Sequence, residues 1–245
     1  MTRIIAIASG KGGVGKTTTV ANIASALAQM GQDVVAVDGN ITTSNLGIHL
    51  GIPLYPVTIQ SVLEGEARPK DALYSHSAGF RILPADVSIS KYLTARPNDL
   101  MDVFYNIPGA DFILIDTSAG LGRETLSALE SVDQVLTVTN LDLPALTDAL
   151  KLAEFAESFG TVNLGVVVNR YKRRGYEIKP QEASDFLDLP LMGLVPEDEN
   201  VKKSLVYKTP VVNYRPRSPA SREFFNIASR ISGREFKQPR RFWFF

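Results

Sequence analysis

The stretch Arg3-Ile4-Ile5-Ala6-Ile7-Ala8-Ser9-Gly10-Lys11-Gly12-Gly13-Val14-Gly15-Lys16-Thr17-Thr18 decides how the chain is read. A short apolar run passes directly into a glycine-rich loop and then into a helical pattern. In that setting residues 10–17 match G-x-x-x-x-G-K-[ST], a loop that holds phosphate between a strand and a helix. Gly10, Gly12, Gly13 and Gly15 let successive backbone N–H groups, that of Val14 among them, face one concavity. The following helix adds the positive end of its dipole. Lys16 is then placed to reach the β and γ phosphates, the Thr17 hydroxyl to sit on Mg²⁺, and Thr18 to add a hydrogen bond to phosphate.

Outward from the loop, short β-branched runs recur at Val34–Asp38, 80–84, 112–116, Gln134–Thr139, 164–169 and 191–195. Near-continuous apolar strands of this kind are covered on both faces, as in a parallel sheet. Between them, residues 18–31 place Val20, Ile23, Ala24 and Leu27 at helical spacing and stop at Gly31. Residues 144–160 repeat the design, with Pro144 at the start and Gly160 at the end. The alternation predicts an α/β fold: a doubly wound, mostly parallel sheet with helices on both faces. The domain is expected over residues 1–233, followed by a distinct tail at 234–245.

Two further strands end in carboxylates, Asp38 and Asp116. Ligands of open parallel sheets sit beyond the carboxyl ends of the strands, so both acids are expected to face the phosphates. Asp116 has the place of an acid acting on Mg²⁺ directly or through water, and Ser118-Ala119-Gly120 reads as a loop that senses the terminal phosphate. Thr17, Asp38 and Asp116 are the candidate metal-site residues.

Composition removes several alternatives. The 245 residues carry 26 Lys plus Arg against 26 Asp plus Glu, so no global positive field draws the chain to nucleic acid. The absence of cysteine excludes thiol nucleophiles, Cys-based zinc sites and thiolate-held iron–sulfur clusters. The N-terminal apolar run is too short for a signal segment, and no stretch reaches the roughly 20 apolar residues of a bilayer span. A cytoplasmic location is expected. His49 and His76 stand alone, without ligand candidates at metal spacing.

Lys11, a second lysine inside the loop, is not required for cradling phosphate. With it, Lys11-Gly12-Gly13-Val14-Gly15-Lys16-Thr17-Thr18 resembles the signature of the deviant Walker A ATPases, the MinD/ParA/nitrogenase-iron-protein class, and within it the MinD-type branch of archaea. Residues 37–46 resemble the family's switch I and 116–120 its switch II. Asn169 and Arg170 resemble its base-contacting strand end, and Pro196, Glu197 and Asp198 its loop against the adenine. The resemblance spans residues 3 to about 230 and implies ATP and ADP with Mg²⁺ as ligands. It also implies a homodimer formed when ATP is bound, in which Lys11 of each subunit reaches the other's phosphates. A charge-assisted contact present in one state alone supplies the differential affinity a switch needs. Lys11, Lys16, Asp38, Asn40 and Asp116 are the expected catalytic set.

One position departs from the family. Two residues after Asp38, where an Asp is usual, stands Asn40, which keeps a carbonyl acceptor but has no charge and takes no proton. If position 40 orients the attacking water by hydrogen bonding, activity survives the change; if it needs a carboxylate, loss of general-base assistance slows hydrolysis by roughly 10²–10⁴-fold and leaves ATP binding and dimerisation intact, and a slow ATPase with a long-lived ATP dimer is expected. The rival reading is an ATP-gated scaffold with negligible hydrolysis; a ParA-like DNA-segregation factor is a third.

The tail carries Arg234, Lys237, Arg240 and Arg241 beside Phe236, Phe242, Trp243, Phe244 and Phe245. Basic residues favour anionic headgroups and Trp the interface, so peripheral contact with the cytoplasmic face of the membrane is one reading. Pro239 interrupts any helix there, which leaves docking on the chain's own domain or on another protein as the others. The basic run Tyr171-Lys172-Arg173-Arg174-Gly175-Tyr176 reads as a solvated loop rather than a DNA contact. The family further implies a regulatory or cargo protein, in division-site placement or another positioning task.

Overall fold

Alternate residues of β1 (Arg3–Ser9) divide between two cores: Ile5 and Ile7 face one side of the sheet, Ile4, Ala6 and Ala8 the other, and all are buried. A strand apolar on both faces must lie inside a sheet covered on both faces. In this computed structural model, which describes residues 1–41, 43–52, 54–86 and 100–236, β1 is flanked by parallel neighbours. The strands are β2 (Val34–Asp38), β3 (Tyr74–Ser75), β4 (Arg81–Leu83), β5 (Phe112–Ala119), β6 (Gln134–Thr139), β7 (Val162–Tyr171) and β8 (Leu191–Pro196), arranged β3-β4-β2-β5-β1-β6-β7-β8. All neighbours pair parallel except β3 with β4.

The helices are α1 (Lys16–Gln29), α2 (Leu46–His49), α3 (Ile59–Leu63), α4 (Leu100–Tyr105), α5 (Arg123–Glu130), α6 (Leu143–Ser158), α7 (Pro180–Leu187), α8 (Glu199–Val206), α9 (Val211–Tyr214) and α10 (Pro219–Ser232). The core with Ile5 and Ile7 is completed by α1, α9 and α10, through residues such as Val20, Leu27, Val211 and Phe224. The opposite core takes Phe104 of α4, Leu129 of α5 and Leu152 of α6. The expected doubly wound architecture is therefore present.

Register levels the functional edge. Asp38 and Asp116 are direct partners across β2 and β5, and Ile7 of β1 lies opposite Asp116. Chain order carries β2 to one side of β1 and β6 to the other, so a crevice opens above β1 and β5, where such sheets bind ligands.

The antiparallel edge strand β3 has no counterpart in the sequence reading. It is two residues long and closes a turn in which the His76 N–H donates to Phe80 O at 2.8 Å. A strand this short shows no alternation to read. Helix α1 starts at Lys16, two residues before the periodic pattern, because Gly15 at φ 104° turns the loop directly into the first turn.

Candidate active site

Lys16 is the buried hub of the loop. Its ammonium donates to Ser9 Oγ at 3.0 Å, and that hydroxyl donates to Lys11 O at 2.7 Å, so the last residue of β1 fixes both lysine segments. Burial lowers the Lys16 pKa, and the neighbouring Asp116 charge works against that shift. Asn169, at the end of β7, donates its amide to Val14 O at 2.6 Å and tethers the loop from the other side. Its Oδ1 accepts the Arg170 N–H at 2.9 Å, which supports Arg170 in the left-handed region at φ 55°.

Two adjoining hollows form one cleft. The first, about 460 Å³, is lined by Gly13, Gly15, Lys16, Thr17 and Thr18 of the loop, Asn40, Thr43 and Asn45 after β2, Thr117, Ser118, Ala119 and Glu124 after β5, and Arg170. The second, about 170 Å³, shares Gly15, Thr18 and Arg170 and adds Asn169, Pro196, Glu197, Asp198, Val201, Lys202 and Leu205. The residues expected against phosphate line the first hollow and those expected against a base line the second, and Gly15, Thr18 and Arg170 border both. Gly10, Lys11, Gly12 and Val14 stand outside its lining; Val14 is a core residue and acts through its carbonyl.

The strand-end acids Asp38 and Asp116 are almost fully buried, and they too stand outside the lining of both hollows, next to residues that do line it, Asn40 and Thr117. Burial raises the Asp116 pKa and the Asp38 charge raises it further, while bonds from Thr17 and the charge of Lys16 oppose the rise. Asp116 Oδ1 has no hydrogen-bond partner among the described residues. A buried orphan carboxylate oxygen next to the Thr17 hydroxyl is a donor set that suits a hard cation, whose remaining ligands are phosphate and water.

Asp38 is differently placed. Its Oδ1 accepts the Asn40 N–H at 3.2 Å, and its Oδ2 accepts Ser44 Oγ at 2.8 Å and the N–H groups of Asn45 at 3.1 Å and Leu46 at 3.0 Å. Four donors make Asp38 the organiser of switch I and of the start of α2. Burial raises its pKa, and those same bonds hold it down.

Asn40 ties the two switches together. Its Oδ1 accepts the Thr43 N–H at 3.1 Å, Thr43 Oγ1 at 3.0 Å and Ser118 Oγ at 3.1 Å. Ser118 Oγ also bonds Glu124 in the first turn of α5.

Glu197 is held in an ion pair with Lys202 at 3.5 Å. Asp198 caps α8 through Asn200 and anchors the Ala220 N–H of α10 at 3.2 Å. Ser9, Glu124 and Asp142 are site residues that the sequence reading did not single out. Asp142 had a visible signal, an acid two residues before the helix-starting Pro144; Ser9 and Glu124 had none beyond adjacency to a motif.

Near the C-terminus, Phe236 stacks on Phe225 of α10 with ring centres 3.9 Å apart, and it packs on the core. One aromatic assigned to the tail is thus part of the folded body, and residues 237–245 lie outside the described residues. Loop residues 172–176 are exposed, in keeping with a solvated segment.

Together the sheet order, the loop and the cleft define a P-loop nucleotide-binding protein. The pattern of the CobQ/CobB/MinD/ParA nucleotide binding domain matches residues 5–211, and the chain belongs to that family, as a MinD-like member of the deviant Walker A ATPases. An ATP-binding protein of Methanocaldococcus jannaschii is 39% identical over 234 residues, covering 95% of this chain and 89% of its own. The septum site-determining protein MinD of Pyrococcus horikoshii, solved with Mg-ADP, has a TM-score of 0.90 at 39% identity, covering 94% of this chain and 96% of that one. The MinC:MinD cell division complex of Aquifex aeolicus contains a chain with a TM-score of 0.83 at 32% identity, covering 98% and 99%.

Proposed function

We propose that the chain is an ATP-dependent dimerisation switch that hydrolyses ATP slowly and uses its nucleotide state to control assembly in a spatial task such as division-site placement. Triphosphate sits on the loop from Gly10 to Thr18, adenine lies toward Asn169, Arg170 and residues 196–198, and Thr17 and Asp116 hold Mg²⁺. Magnesium, when bound with the nucleotide, neutralises phosphate charge. The observation that carries the reading is the division of labour between two lysines. Lys16 is buried beneath the loop, whereas Lys11 is half-exposed outside the cleft lining, where it can meet a second subunit.

In the ATP-bound pair, Lys11 of the partner subunit adds positive charge at the γ-phosphate as charge develops there. Sizing the protein by sedimentation with ADP, with ATP and after Lys11→Ala tests this. The expected result is a monomer with ADP, a dimer with ATP, and a Lys11→Ala variant that binds ATP and stays monomeric. A wild-type monomer under saturating ATP and magnesium defeats the reading.

A scaffold with negligible hydrolysis is the alternative, favoured by the amide at position 40. ATP turnover of the purified chain separates the two. A ParA-like DNA role requires ATP-dependent, salt-sensitive DNA binding.

Membrane contact is proposed for residues 237–245, with the two copies of a dimer acting together. Among the described residues no helix is long and apolar enough to cross a membrane, and contact of this kind requires none. Co-sedimentation with anionic liposomes, with and without residues 237–245, tests it; equal failure of both forms removes it. A regulatory protein partner is proposed by analogy with the MinC seated on the Aquifex MinD.

A further inference from the structure

Hydrolysis of ATP needs an acceptor for a proton of the attacking water, and position 40 does not supply one. An amide oxygen has two lone pairs. Asn40 Oδ1 already receives the N–H and hydroxyl of Thr43, at 3.1 and 3.0 Å, before Ser118 Oγ is added at 3.1 Å. Its carbonyl is a joint between the switches, and its amide nitrogen is a donor only.

The wall of the same hollow holds a carboxylate. Glu124 lines it together with Lys16, Thr17, Asn40 and Ser118. The Ser118 hydroxyl lies between Asn40 Oδ1 and a carboxylate oxygen of Glu124, with which it is hydrogen-bonded. A hydroxyl has one proton, so it donates to one of these two oxygens at a time and holds Asn40 and Glu124 on either side of it. Glu124 is therefore oriented by switch II, within one hydroxyl of the position where the family carries its Asp.

We propose that Glu124 is the general base of this chain, replacing the carboxylate missing at position 40. The inference rests on the ATPase reading above. Water oxygen bonds to the γ-phosphorus while the bond from that phosphorus to the β–γ bridging oxygen breaks, its electron pair leaving with ADP. The water proton passes to the Glu124 carboxylate and from there to solvent, so the products are ADP, inorganic phosphate and a proton. Ser118 and Asn40 are positioning residues in this scheme. The competing role for an acid in the first turn of α5 is interaction with the helix dipole, which affects stability and not turnover.

The test compares the full-length chain, Glu124→Gln, Glu124→Asp and the double variant Asn40→Asp/Glu124→Gln. ATP affinity, thermal midpoint and steady-state turnover are measured for each with magnesium. Glu124→Gln is expected to lower turnover about 10²-fold or more with ATP affinity within threefold of the parent. Adding Asn40→Asp to that variant is expected to restore turnover at least tenfold, which a purely structural role for Glu124 does not allow. Glu124→Asp keeps the charge at the helix start and is expected to retain part of the activity, so it reads the role even if the amide variant folds poorly. Turnover of Glu124→Gln within threefold of the parent overturns the inference, as does a loss of ATP affinity matching the loss of turnover. A parent chain that binds ATP and cleaves none also overturns it while leaving nucleotide binding intact. A parent that binds no ATP defeats the ATPase reading itself.

Discussion

Lys11 Nζ lies 3.0 Å from Asp142 Oδ1, and that same oxygen accepts the Ala145 N–H at 3.0 Å. The lysine expected to act across a dimer is thus bound, within its own subunit, to the residue that caps α6. The side chains are 44% and 43% exposed, so the pair contributes on the scale of surface ion pairs, about 0.2–1 kcal/mol. That is small enough for ATP and a partner subunit to reverse.

Asp142→Asn isolates this latch, because Asn caps a helix about as well as Asp while lacking the charge. If Lys11 must leave Asp142 to reach a partner, the variant dimerises with ATP at up to about fivefold lower protein concentration, the equivalent of about 1 kcal/mol. Sedimentation across a concentration series reads the midpoint. A weaker dimer would show that Asp142 acts across the interface instead.

Asn40→Asp replaces the amide nitrogen, a donor, with a second acceptor oxygen while retaining one for Thr43 and Ser118. With Glu124 in place as the base, turnover is expected to change by less than about threefold, against the tenfold or greater recovery expected in the Glu124→Gln background, and ATP affinity to stay within a few-fold. A rise of about tenfold or more in this single variant would mean that Glu124 does not replace the missing carboxylate.

Gly15→Ala challenges the loop itself. Gly15 sits at φ 104°, and a Cβ there would lie 2.2 Å from Asn169 Nδ2, the group that tethers Val14 O. Backbone strain and loss of that tether together are expected to cost about 2–4 kcal/mol. For a chain of this size that lowers the Tm by roughly 5–15 °C. Calorimetry should also show ATP binding weakened by about 100-fold or more, since the loop's N–H groups are displaced. A variant with wild-type Tm and affinity would contradict the geometry.

His49, at the end of α2, has a buried Nε2 with no partner among the described residues. Burial, and then the nearby Lys208 charge, push its pKa down from 6.5 to about 4. A histidine whose folded pKa is depressed favours the native state fully above its unfolded pKa. As pH falls from about 6.5 towards 4 the unfolded chain takes up the proton first, and up to about 3 kcal/mol of stability is lost. Urea midpoints at pH 7.5 and 4.5 should differ less in His49→Gln, which does not titrate, than in the parent. Parallel losses in both would exclude His49 as a source of the acid sensitivity.

The parallel sheet, the phosphate loop and the strand-end acids were legible because each is a local pattern. Two-sided apolar runs mark buried strands, Val20, Ile23, Ala24 and Leu27 mark one face of α1, and Gly15-Lys16-Thr17 follows a strand and opens a helix. Asp38 and Asp116 could be placed together because parallel register brings strand ends level. The role of Asp38 was not legible. Nothing in its neighbourhood of sequence says that its carboxylate collects Ser44, Asn45 and Leu46.

Sequence alone determined the class of fold and marked the glycine-rich loop between β1 and α1, since these depend on residue type and on spacing along the chain; that an acid is usual at position 40 came from the resemblance to the family. Tertiary structure alone decided which side chains meet: Lys11 with Asp142 across 131 positions, and Ser118 with Asn40 across 78, beside Glu124. The reason is physical. Hydrogen bonds and ion pairs act over about 3 Å, and contacts between residues so far apart in the chain exist only once the sheet has set its strand order and register.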